Sequence, residues 1–124
     1  DQPRSRGLGD VYKRQDLVSA CAAAHRARRD STLDALKAAS VTAPESAAGY
    51  SVPFPVSDPV SAAQLAAQVE VDTATAWRSV IERSRSDATR GVGVTALTEA
   101  AGRAATWRAI LGTEPATVPF PGQP

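Results

Sequence analysis

The chain has 124 residues, a net charge of +1 and one cysteine. That length carries a single domain with a modest core, the lone Cys21 excludes an internal disulfide, and no apolar run reaches bilayer length. The hydrophobic content is 43%, but with only two Trp, two Tyr, two Phe and no Met it rests on alanine, so any core needs closely approaching helices.

Residues 1–15, "DQPRSRGLGDVYKRQ", hold Pro3, Gly7 and Gly9 and lack an apolar period. The portion "SRGLGDVYKRQ" resembles translated sequencing-adapter read-through. Residues 1–15 are therefore expected to be non-native, with a disordered basic arm as the alternative, and the true N-terminus is expected to be missing. Arg4, Arg6, Lys13 and Arg14 outnumber Asp1 and Asp10 by two, so residues 16–124 alone carry −1 where the whole carries +1. The overall basicity then disappears, and with it the composition argument for nucleic acid.

The pattern predicts a first helix over about 16–39, capped by Asp16, with Val18, Ala22, His25, Arg29, Leu33 and Leu36 on one face. Leu17, Cys21 and Ala24 form a second strip. Residues 40–57 are too long for a link between neighbouring helices and suit a crossover along a bundle. A second helix is predicted over about 58–84, capped by Ser57 or Asp58 with Pro59 in its first turn. Its face is Val60, Ala63, Ala66 or Ala67, Glu70, Ala74, Trp77 and Ile81, widened by Leu65, Val69, Ala76 and Val80.

A short turn makes the third helix, about 87–111, antiparallel to the second. Asp87 is its expected cap, and Val94, Leu97, Ala101, Ala104 and Leu111 its expected face. Gly91 and Gly93 weaken its start by roughly 1 kcal/mol each relative to Ala, and Gly112 is a suitable stop. Residues 113–124 are a Pro-rich tail, expected to be extended.

Two echoes run through the chain. "VPFP" occurs at 52–55 and 118–121, and Trp-Arg at 77–78 and 107–108. Their separations, 66 and 30 residues, differ, so one tandem duplication does not explain both. Pro on either side of Phe stiffens the backbone and presents the ring at low entropic cost. Phe54 is accordingly expected to anchor the crossover and Phe120 the tail, with Trp77 and Trp107 plugging the ends of the bundle.

The polar stretch "AAAHRARRDS" (22–31) is a poor nucleic-acid patch, because Arg26 and Arg28 point about 200° apart on a helix. His25 and Arg29 share the expected apolar face, while Glu70 and Glu99 lie at or beside the faces of the other two helices. A buried charge must be paired. The expectation is a buried polar network of His25, Arg29 and Glu70. The competing reading is a di-metal site drawing on His25, Glu70 and Glu99. Nothing in the sequence points to a phosphate loop, zinc spacing or a hydrolase triad. Cys21 and His25 stand four apart, but a helix interior rarely exposes a nucleophile beside an oxyanion hole.

The ordered set "AHRARRDSTLDAL", "Y-x-VPFPV-x-DP-x-SA", "A-x-AWR", "VTALTEAAGRAATWRAILG" and "TVPFPG", spanning about 18–122, resembles the ferritin-like domain family of unknown function found in actinobacteria. The resemblance implies an all-α, up-down ferritin-like bundle. Three of its four helices are present, with a long crossover loop and a Pro-rich C-terminal tail. Metal-binding ferritin-like proteins place Glu-x-x-His on two helices. Here Ala22 stands three before His25 and Gly102 three after Glu99, so both pairs are broken. The expected function is structural or in protein interaction, without a working di-metal site and with no cofactor. The alternative is an iron- or manganese-binding oxidoreductase domain whose other ligands lie in the missing helix. The uncovered apolar face implies a homo-oligomer or a protein partner, with neither nucleic acid nor membrane. The expected location is cytoplasmic, although a lost N-terminus takes any signal peptide with it.

Overall fold

Three α-helices, α1 (Pro3–Ala38), α2 (Pro59–Arg83) and α3 (Asp87–Ile110), make up the regular structure of the described residues in this computed structural model. It describes residues 3–45 and 51–124, with side chains from residue 14 onward, and no strand occurs among them. Tyr50 and the middle of the expected crossover lie outside the described residues. The chain divides into two compact units, Asp1–Ala48 and Gly49–Pro124.

In the first unit, α1 begins thirteen residues before Asp16, so Asp16 is not its cap. Pro3 suits a first helical turn, where its missing N–H goes unneeded, and Gly7 and Gly9 weaken a helix without ending it. Beyond residue 13 the half-buried positions are Leu17, Cys21, Ala22, Ala24, His25, Arg28, Thr32 and Leu36. The stripe they trace follows the second predicted strip and runs on through Arg28 and Thr32. Val18, Arg29 and Leu33, expected on the main face, are exposed. The helix closes with Ser40 at φ 58°, where its N–H donates to the Lys37 carbonyl at 3.0 Å and that of Val41 to Leu36 at 2.8 Å. This is a Schellman ending with serine in the position that favours glycine.

In the second unit, Asp58 starts α2. Its carboxylate accepts from the Ser61 N–H at 2.7 Å, and Ser61 Oγ accepts from the Asp58 N–H at 3.1 Å. These reciprocal bonds satisfy donors that a helix start leaves open. Pro59 follows in the first turn. α3 is capped by Ser86, whose Oγ accepts from the Thr89 N–H at 3.2 Å; Asp87, the expected cap, sits one residue inside and pairs with Arg90. Only Ser84, Arg85 and Ser86 separate the two helices, so they fold back antiparallel.

The seam between α2 and α3 is built from the smallest side chains. α2 buries Ala63, Ala67, Glu70 and Ala74, and α3 buries Gly93, Ala96, Ala100, Ala104 and Trp107. The α2 stripe follows the predicted face, apart from Val60 and Ala76, which are exposed. The α3 stripe does not: Ala104 is shared, but Val94 is 50% exposed and Leu97, Ala101 and Leu111 are only half-buried. The larger residues misled, because helices that approach through alanine leave no space between their axes for valine or leucine. A Cβ on Gly93 would stand 2.7 Å from Ile81 Cγ1, so this position of the seam admits no side chain without a shift.

α3 also ends in a Schellman arrangement, with Gly112 N–H donating to Ala109 at 3.1 Å and Thr113 N–H to Arg108 at 2.9 Å. Gly112 takes φ 71°, as expected of the stop residue. The tail beyond is a run of bends and turns, not an extended segment.

Candidate functional site

Glu70 is the most deeply buried charged side chain described, at 2% exposure. It lies on the seam because it continues the spacing Ala63, Ala67, Ala74 across four, three and four residues. Its Oε2 accepts from Arg103 Nε of α3 at 2.9 Å, and the Arg103 side chain is itself only 19% exposed. Antiparallel register brings the two level. Glu70 stands eleven residues before Ile81, and Arg103 stands ten after Gly93, which touches Ile81. Small neighbours leave room for the carboxylate, and the guanidinium meets the requirement that a buried charge be paired.

The expected partner was Arg29. Arg29 is instead 62% exposed and pairs with its neighbour Asp30 at 3.3 Å. Its helical face was inferred from hydrophobic spacing; Ala22, His25 and Leu36 of that face are half-buried, but Val18, Arg29 and Leu33 lie exposed. His25 and Cys21 are half-buried on α1, while Glu99 is exposed on α3. Phe54 and Trp77 are half-buried, and Trp107 is 4% exposed in the last turn of α3. Phe120 is 66% exposed, so it does not anchor the tail by burial. The anchor is Gly122. A Cβ there would stand 2.9 Å from the Ala74 carbonyl oxygen, from Arg78 Cβ and from Leu97 Cδ1, and its φ is +84°. Only glycine satisfies both the closeness and the left-handed backbone.

Arg103 was absent from the sequence-based candidates. A signal existed: it is the only charged residue between Ala100 and Trp107 in an otherwise small helix face, and counting outward from the turn sets it level with Glu70.

A ferritin-like fold raises the question of iron or manganese. Among the described residues no three His, Cys, Asp or Glu side chains come together. The one carboxylate on the seam already faces a guanidinium, and neither Glu70 nor Glu99 is followed three residues on by His. The donors on α2 and α3 do not fit a carboxylate-bridged pair of metal ions.

Beside this pair, the tail and the outer flank of the seam enclose a cleft of about 490 Å³. Val71, Ala74, Ala101 and Ala105 form its floor, residues 116–124 its wall, and Arg108 supplies its charged side chain.

Residues 10–124 match the family described as a domain of unknown function (DUF4439). The chain is also similar to the crystal structure of a conserved hypothetical protein, Rv2844, from Mycobacterium tuberculosis. The two share 45% identity, with 77% of this chain and 72% of that chain covered and a TM-score of 0.73. A comparison with curated proteins gives no match. The all-α architecture, with a long connection before an antiparallel helix pair, is consistent with a ferritin-like fold.

Proposed function

Because the chain belongs to the DUF4439 family, we propose that it is a ferritin-like domain serving a structural or protein-interaction role, with an ion pair in place of a di-metal centre. The observation that carries this reading is the Glu70–Arg103 contact. In a metal-binding bundle, a buried inward carboxylate is neutralised by the cation it ligates. Here arginine, permanently charged and suited to carboxylate geometry, supplies that neutralisation.

The interaction role is supported by the aliphatic side chains left in water. Val56, Val60, Val92 and Val94 of the second unit are all exposed. Exposed apolar surface of this kind favours contact with another protein or with a second copy. No helix among the described residues is long and apolar enough to cross a membrane.

The test is elemental analysis of the purified protein after equilibration with iron(II) or manganese(II), alongside the Arg103→Ala variant. The expected result is no stoichiometric metal in the wild-type chain. One or two tightly held ions per chain would overturn the reading. Light scattering across a concentration series examines the association separately, and an ideal monomer throughout would remove self-association.

A further inference from the structure

We propose that the cleft between the C-terminal tail and the α2–α3 pair binds an anion with an aliphatic body, of the medium-chain carboxylate class. The volume, about 490 Å³, lies in the range of small-molecule sites. The floor is methyl groups: Val71, Ala74, Ala101 and Ala105 present no polar side-chain atom. Val118 and Phe120 stand at the wall and remain largely exposed, so apolar surface continues to the mouth. A body that fills this space loses water-exposed apolar area on both sides.

The choice of an anion rests on Arg108. It lies in the last turn of α3, and no acidic side chain is among the lining residues. No side-chain hydrogen bond or ion pair engages its guanidinium within the described residues. The carbonyls of Trp107, Arg108 and Ala109 are already taken by the N–H groups of Leu111, Thr113 and Gly112, so the guanidinium is not needed as their cap. An uncommitted fork of donors at the edge of an apolar cleft matches a carboxylate head with its chain pointing inward. Glu70 and Arg103 do not line the cleft, so this proposal stands apart from the reading of the seam.

The experiment is isothermal titration of the full chain with decanoate and with decylamine, repeated on Arg108→Gln and Ala105→Phe. Circular dichroism verifies that each variant keeps its helices. Decanoate is expected to bind roughly tenfold more tightly than decylamine, the effect of one charge-assisted contact. Arg108→Gln should erase that preference, and Ala105→Phe, which fills the floor, should abolish binding of both. Absent decanoate binding, equal affinity for the two probes, or a wild-type chain and Arg108→Gln that behave alike would overturn the proposal. Arg108 is half-buried at a helix end, so its variant tests the idea even if Ala105→Phe fails to fold.

Discussion

Arg103 Nε donates to Glu70 Oε2 at 2.9 Å across a seam whose other members are alanine, glycine and tryptophan. Removing one partner leaves the other charge buried. Arg103→Ala should therefore destabilise the second unit by about 3–5 kcal/mol. The joint replacement Glu70→Leu with Arg103→Met should recover most of that loss, because apolar groups of similar volume need no partner. Denaturant unfolding of the two variants measures both. A double variant as unstable as Arg103→Ala would show that packing, not the orphaned charge, sets the cost.

Gly91 and Gly93, two residues apart on α3, should respond to alanine in opposite directions. Nothing lies within 4 Å of a Cβ at Gly91, so Gly91→Ala should stabilise by up to about 1 kcal/mol through helix propensity. At Gly93 the new methyl meets Ile81 Cγ1 at 2.7 Å. The Ile81 side chain or the helix itself would have to shift there, at a cost of about 1–3 kcal/mol typical of overpacking. Thermal melts give the sign directly.

Gly122→Ala should detach the tail without unfolding the helices, since the methyl would strike backbone at Ala74 as well as side chains. Hydrogen exchange at the non-proline amides of residues 116–123, Gln123 above all because it donates to Phe120, should accelerate while amides along the seam of α2 and α3 keep their protection. Unchanged tail protection would contradict the close approach.

The Ser61 backbone N–H, followed by the Ser61 hydroxyl, holds the Asp58 carboxyl below its ordinary value of 3.8. A depressed carboxylate stabilises the fold above its unfolded value, and the contribution fades as pH falls through the folded one. Asp58→Asn keeps an acceptor at the cap. It should leave neutral-pH stability close to wild type while flattening the acid limb below about pH 4. An unchanged acid limb would remove Asp58 from the pH response.

Ser40 holds φ 58° at the end of α1, a conformation that costs an L-residue roughly 1–2 kcal/mol. Ser40→Gly should strengthen that ending. The measurable sign is slower exchange of the Ser40 and Val41 amides, which donate to Lys37 and Leu36.

The presence of three helices, the start of α2 and the stop at Gly112 were legible because they rest on local chemistry: Asp-Pro, an apolar period, glycine after leucine; the part of α1 before Asp16 was not, because it has no apolar period. The α2 face was legible as well, since its alanines and Glu70 keep one spacing. The α3 face was not. Hydrophobic size ordinarily marks the buried side, but Val94 lies outside and Gly93 inside, because distance between helix axes decides which side chain fits. The same inversion hid the site. The spacing of larger apolar residues points to Arg29 as the partner of Glu70 and passes over Arg103, yet a charge is buried where the neighbours are small enough to admit its partner. Phe120 was read as the tail's anchor from its ring, whereas Gly122 holds the tail through what it lacks.

A seam of alanines is nearly the same at every turn, so it says little about how far one helix should slide past the other. Moving α3 by seven residues would bring Ala96 or Ile110 level with Glu70 and carry Arg103 to the level of Ala63 or Trp77, so both charges would lose their partner. Methyl contacts barely distinguish these alignments; the stranded carboxylate does. The ion pair thus acts as an index mark on an otherwise unmarked rail, and a variant with both charges removed can be more stable and yet less certain of its alignment.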